Sequence, residues 1–186
     1  MGKLTGKKAI VTGASRGIGL AIATKLASEG ADVAILSTSV KEELAAKLSA
    51  ELGVQVKSYA CNVADSETVQ NVFKQIIADM GTVDILVNNA GITRDGLLMR
   101  MKDEEFDAVI ATNLRSVFLC TRAVARTMMG KRTGHIIKIS SINALRGQAG
   151  QANYAAAKAG IIGMTRSNAR APTAERVENA KRILGA

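Results

Sequence analysis

Thr12-Gly13-Ala14-Ser15-Arg16-Gly17-Ile18-Gly19 joins a short apolar strand, Lys8 to Thr12, to a helical pattern that runs to about Glu29 and stops at Gly30. The glycines let the chain turn tightly from strand to helix and leave the backbone open to close approach. The same alternation continues downstream. Asp32 to Leu36 reads as a second strand, Lys41 to Leu52 as a helix ended by Gly53, and Val54 to Ala60 as a third strand. Asp65 and Ser66 can cap a helix carrying Val69, Phe73, Ile76 and Ile77, which Gly81 ends. Val83 to Val87 is a fourth strand, broken by Asn88-Asn89-Ala90-Gly91. A long helix is expected from Asp103, a strand over His135 to Ser140, and a helix from Gln151. The strands are apolar without strict alternation, which marks a parallel sheet covered on both faces, an α/β fold. With 186 residues, 47% of them hydrophobic, the chain has material for one domain with a substantial core.

A glycine turn between the first strand and the first helix is where a dinucleotide pyrophosphate binds, at the positive end of the helix. The spacing here is G-x-x-x-G-x-G, through Gly13, Gly17 and Gly19. NAD sites carry an acidic residue near the end of the second strand to hold the ribose 2′-hydroxyl. This chain has Leu36-Ser37-Thr38-Ser39 there. Arg16, aided by Thr38, is instead suited to a 2′-phosphate, which favours NADPH.

The second chemical stretch is Ser141 to Lys158. In Tyr154-Ala-Ala-Ala-Lys158 a phenol and an ammonium stand at i and i+4, one above the other on a helix that the alanines favour. An ammonium one turn away favours the phenolate, which makes a tyrosine a usable general acid/base. Ser141 stands ready to hold a substrate oxygen beside it. On this stretch alone, an exposed pair on an alanine-rich surface helix is the plainer reading.

Other features point away from further chemistry. The formal charge of +9 is scattered, and with no Trp and 3% aromatics there is no stacking platform for nucleic acid. Cys61 and Cys120 lack metal-ligand spacing and suit a reduced protein, so no metal is expected. No apolar run reaches about 18 residues, and no leader precedes the first strand, so a cytoplasmic protein without a membrane partner is expected. His135 reads as a strand start, and Met99, Met101, Met128 and Met129 as packing or rim residues. Lys131 and Arg132 are candidates to meet an acidic partner, or form a solvated turn.

Gly13-x-x-x-Gly17-x-Gly19, Asn88-Asn89-Ala90-Gly91, Asn113, Ser141 and Tyr154-x-x-x-Lys158 occur in the order and spacing of the short-chain dehydrogenase/reductases. From Gly91 to Lys102 and from Gly150 to Gly160 the chain resembles the bacterial-type 3-oxoacyl-[acyl-carrier-protein] reductases almost residue for residue. The resemblance implies a Rossmann-type doubly wound parallel sheet over residues 1–170. It implies a general acid in Tyr154, a ribose-holding Lys158 that tunes it, a carbonyl-binding Ser141, and Asn113 supporting a relay water through its backbone. Counting back from Tyr154 selects Ser141 over Ser140. Gly13, Ser15, Arg16, Gly17, Ile18, Gly19, Thr38, Asn62, Val63, Asn88, Ala90, Gly91, Tyr154 and Lys158 are implied to contact the cofactor, with Asn62 and Val63 at the adenine. The implied partners are an acyl carrier protein bearing a 3-oxoacyl chain and a second copy of the chain, paired through the helices beginning near Asp103 and Gln151.

After about Arg166 the likeness ends, and residues 171–186 form a divergent basic tail in which Pro172 can start a helix over Thr173 to Leu184. The family's last strands are therefore expected to be absent, and with them part of the turnover. The competing readings are a short-chain reductase of another ketone or alcohol, and an inactive cofactor-binding remnant.

Overall fold

The computed structural model describes residues 2–169. The expected tail helix and the 170/171 boundary lie outside them. Five strands, β1 (Lys8–Thr12), β2 (Asp32–Ser37), β3 (Val56–Ala60), β4 (Ile85–Asn88) and β5 (His135–Lys138), form one sheet in the order β3-β2-β1-β4-β5. Every pairing is parallel. The helices α1 (Gly17–Ser28), α2 (Glu42–Leu52), α3 (Ser66–Met80), α4 (Asp103–Ile110), α5 (Ser116–Lys131), α6 (Asn143–Arg146) and α7 (Ala152–Asn168) connect and cover it.

The unbroken apolar strands serve both faces. Ile10, Ala34, Leu36, Leu86 and Ile136 face the core built on α3 and α5, with Phe73, Ile76 and Val124. Their neighbours Ala9, Val11, Val33, Ile35, Ile85 and Val87 face the core built on α1 and α2, with Ala23, Ala27 and Leu48. This is the side-chain period of 2 with both phases buried, and it is the physical content of the doubly wound architecture. Asp65 caps α3, its carboxylate accepting the Thr68 N–H at 2.7 Å. α2 and α3 leave through Gly53 and Gly81, both left-handed.

Several boundaries differ from the sequence reading: β2 runs on to Ser37 and β3 begins at Val56 rather than Val54, and three further differences lie near the site. β4 begins at Ile85; just before it the buried Asp84 keeps main-chain bonds to Lys8 O and from the His135 N–H (2.8 Å each), while its carboxylate accepts from the Lys8 N–H (2.9 Å) and Lys131 Nζ (2.7 Å). β5 ends at Lys138; beyond it the Ile139 N–H donates to Asn88 O (3.0 Å) and the Ser140 hydroxyl donates to Lys158 O on α7 (2.9 Å). The long helix from Asp103 is widened by a π-helical turn, Ala111–Arg115. The whole helical run Asp103–Lys131 is long and apolar enough, by length and composition alone, to cross a membrane. Its Val109, Val117, Leu119, Cys120 and Val124 are instead buried in the molecule.

The chain leaves β1 towards β2 on one side, while β4 and β5 lie on the other. The carboxyl ends of β1 and β4 therefore flank the topological switch point, where an open α/β sheet presents its ligand crevice.

Candidate active site

Two loops meet at that crevice. The backbone N–H groups of Asn89 and Ala90 both donate to the buried Thr12 Oγ1 (3.0 Å each), and Asn89 Nδ2 donates to Thr12 O (3.0 Å) and Gly13 O (3.2 Å). The glycine turn is thus tied to the end of β4, and the approach is too close for side chains. A Cβ on Gly13 would lie 2.8 Å from Ala90 Cα, and one on Gly19 would lie 2.2 Å from Gly13 O. Gly17, with φ +57°, faces open space instead. α1 begins there with no side-chain cap and no acidic residue in its first turn. Its first N–H groups and its dipole therefore favour an anion. Asn88 Nδ2, buried at the end of β4, has no hydrogen-bond partner, a donor set beside the same crevice. These features fit a dinucleotide with its pyrophosphate on the α1 N-terminus.

Gly19→Ala is expected to force this turn apart. Overpacking of this kind costs about 1–3 kcal/mol, so the variant's Tm should fall clearly; an unchanged Tm would contradict the tight turn.

The chemical groups converge on the far side of Gly91. Asn113 is fully buried in the π-helical turn. Its Oδ1 accepts the Ile92 N–H and its Nδ2 donates to Ile92 O, each at 2.8 Å, clamping the chain just after Gly91. A Cβ on Gly91 would come within 3.3 Å of Asn113 Oδ1 and 3.8 Å of Lys158 Nζ. Lys158 is buried, donates to Ile139 O (2.8 Å), and stands 5.6 Å from the centre of the Tyr154 ring. Burial pulls its pKa down to about 8. Tyr154 is half-buried one turn earlier on the same helix. The two serines divide cleanly. The Ser140 proton is committed to Lys158 O, whereas Ser141 Oγ accepts the Asn143 N–H (3.2 Å) and keeps its own proton to donate.

The remaining candidates lie along the ends of β2 and β3. Ala14 N–H donates to Leu36 O (3.0 Å) and Cys61 N–H to Ser37 O (2.7 Å), which brings the loops of Ser15–Ile18, Thr38 and Asn62–Val63 to one rim of the sheet. Arg16, Thr38 and Asn62 are exposed there, and Val63 packs into the core. Lys131 is drawn into the Asp84 ion pair. Burial pushes the Cys61 thiol up to about 11, and Cys120 is raised as well, as inert core thiols. Among the described residues no cluster of metal ligands occurs.

Three positioning residues were not legible as such. Thr12 is a polar residue closing an apolar strand, which is the signal it offers. Asn153 is fully buried; its Oδ1 accepts the Tyr154 N–H (2.7 Å) and its Nδ2 donates to Arg94 O (2.8 Å). Asn89 stands inside a motif whose other members received roles. Each one also reaches a partner far away in sequence: Thr12 the end of β4, Asn89 the glycine turn, and Asn153 the loop at Arg94.

The short chain dehydrogenase family profile matches residues 7–180. The chain is similar to 3-oxoacyl-[acyl-carrier-protein] reductase FabG of Escherichia coli (strain K12), 56% identical over 165 residues, covering 89% of this chain and 67% of that protein. The corresponding reductase of Staphylococcus aureus (strain Mu50 / ATCC 700699) is 49% identical, over 88% of this chain and 68% of the relative. This chain thus spans about two thirds of the length of these curated relatives. A metagenomic short-chain oxidoreductase, solved in complex with NADP, superposes with a TM-score of 0.85 at 41% identity, covering 89% of this chain and 76% of that one. With the glycine crevice at the switch point and Tyr154 and Lys158 facing each other on α7, this similarity shows that the chain belongs to the short chain dehydrogenase family.

Proposed function

We propose that this chain reduces a 3-oxoacyl group, carried as a thioester on an acyl carrier protein, to the 3-hydroxyacyl group, with NADPH, in cytoplasmic fatty-acid biosynthesis. The observation that carries the reading is the placement of Lys158 directly behind Gly91, with Tyr154 one turn away and Ser141 presenting a free hydroxyl proton. The named activity of the E. coli relative, and the NADP held by the metagenomic one, support it.

The bound cofactor supplies a hydride to the ketone carbon. The protein does the rest. Ser141 donates to the carbonyl oxygen and Tyr154 gives that oxygen its proton, so the C=O bond becomes CH–OH with electrons and protons balanced. Lys158 holds the nicotinamide ribose and faces the Tyr154 ring. Asn113, fixing Ile92 through both its amide atoms, holds the chain just after Gly91 where it would line the bound cofactor, and would support a relay water from the π-helical turn; such turns recur at functional sites. The crevice between the carboxyl ends of β1 and β4 orients the reactants, which is the larger part of what a protein adds to cofactor chemistry.

NADPH oxidation with an acetoacetyl thioester tests the reaction. Tight NADPH binding without turnover would instead favour a cofactor-binding role. For the cofactor, Arg16 is exposed on the rim shared with Thr38, and no carboxylate stands at the end of β2 or in Thr38 to Lys41 after it. Losing a charge-assisted contact to a phosphate costs about 1.5–3 kcal/mol, or roughly 10–100-fold in affinity. Arg16→Ala should therefore weaken NADPH binding by that factor and leave NADH binding nearly unchanged. Equal affinity for both cofactors in the parent protein would contradict the preference.

A second copy of the chain is the further partner. α4 and α5 expose Phe106 (41%) and Phe118 (46%), an apolar face that supports self-association there. α7 also packs on the π-helical turn within the chain: a Cβ on Gly160 would lie 2.9 Å from Leu114.

A further inference from the structure

The turn that carries Ser141 is braced by a chain of amides. Asn143 Nδ2 donates to Gln151 Oε1 (2.8 Å) and to Gln148 Oε1 (3.1 Å). Gln151 Nε2 donates in turn to Asp95 Oδ2 (2.9 Å), on the loop that follows Gly91. The Gly96 N–H donates to Gly150 O (2.9 Å) beside it. Asn143 Oδ1 is buried without a partner. Turning the amide over would set its oxygen against two carbonyl oxygens. The orientation is therefore fixed by its donors, at the cost of an unpaired acceptor.

We propose that Asn143 is a positioning residue for Ser141. Its side chain pins the short helix α6 to Gln148 and Gln151, and its main-chain N–H, held in place by that pin, donates to Ser141 Oγ (3.2 Å). With one lone pair of Oγ occupied from inside the turn, the serine proton points outward. The hydroxyl is presented as a donor, which is the form a developing alkoxide needs. Asp95 anchors the far end of the brace, so the serine turn and the loop after Gly91 are held as one unit. The proposal rests on the role given to Ser141 above.

The test is a double-mutant cycle on the acetoacetyl thioester assay, with NADPH affinity measured alongside. Small misplacements of a catalytic group cost up to about 100-fold, and Asn143→Ala, which loosens the turn without removing Ser141, should lower kcat about tenfold. NADPH affinity should stay within about twofold, since no cofactor-facing group moves. Asn143→Asp, of the same size but without the Nδ2 donors, should behave as Asn143→Ala does and guards against a folding defect. The distinguishing result is non-additivity: in the Asn143→Ala background, Ser141→Ala should cost markedly less than it does alone. A Ser141→Ala loss that multiplies fully with the Asn143→Ala loss, or an Asn143→Ala variant with parental kcat, overturns the role of Asn143 and leaves that of Ser141 standing. A Ser141→Ala variant with parental kcat overturns the role of Ser141 and this proposal with it.

Discussion

Tyr154→Phe is expected to lower ketone reduction by roughly 100-fold or more, the ordinary contribution of a positioned general acid, while NADPH binds nearly as before. The split follows from what the change removes. The ring stays, so its packing on α7 and its face towards Lys158 Nζ, 5.6 Å from the centroid, are kept. Asn153 still holds the residue by its main-chain N–H (2.7 Å), so the helix start does not shift. Only the phenolic proton goes, and with it the means of neutralising the alkoxide as hydride arrives. The glycine turn, Asn89 and Thr12 that shape the phosphate end lie on other elements and are untouched. Steady-state turnover and a fluorescence titration of NADPH, run on the same preparation, separate the two effects. Parental turnover in Tyr154→Phe would remove Tyr154 from the mechanism.

The parts of this site that could be read from sequence are those whose physics is local. A glycine turn between a strand and a helix, an Asp cap three residues before the N–H it accepts, and a phenol and an amine at i and i+4 all have causes contained in a few neighbouring residues. The unbroken apolar strands foretold a sheet covered on both faces, and Ile10 and Val11, facing opposite cores, show why alternation was absent. What escaped were interactions whose two ends are far apart in sequence. Asn113 was picked out by spacing, yet its clamp on Ile92 needs a partner 21 residues away, and the π-helical turn that carries it left no sign in the sequence pattern. Val83 looked like the start of β4, but the strand begins at Ile85, and the Asp84 carboxylate just before it is held by Lys8 and Lys131. The lysine paired with Arg132 as a candidate for an acidic partner is the same Lys131. Burial raises the pKa of Asp84, and the Lys131 and Lys8 hydrogen bonds outweigh that and hold it below the usual carboxylate range. Asn143 sat inside a helix of four residues too short to leave a periodic signal.

Lys158→Met is expected to abolish useful turnover and yet make the protein more stable at neutral pH, with the gain disappearing as pH rises. The amine is buried, and its pKa is lowered from 10.5 to about 8 by that burial. Below about pH 8 the amine is charged in both the folded and the unfolded chain, and the folded state carries the full cost of desolvating it. Between 8 and 10.5 the unfolded chain holds more protons than the folded one, so the parent protein gains stability with rising pH through this window. Above it both states are neutral and the cost is gone. A shift of this size corresponds to a cost on the order of 3 kcal/mol below the window. Methionine removes that cost while filling a similar volume, but it leaves Ile139 O without its donor, which takes back about 1–3 kcal/mol. The net gain at pH 7 is therefore small, about 0–2 kcal/mol, or a few degrees in Tm at this chain length. The pH dependence is the sharper measurement, because the loss of the Ile139 contact does not titrate and cancels from it. The Tm difference between variant and parent should be most favourable to Lys158→Met below pH 8 and should shift steadily towards the parent up to pH 10.5. A difference that is flat across that range would show that Lys158 does not lose its proton more readily in the folded chain, and that its burial carries no such cost.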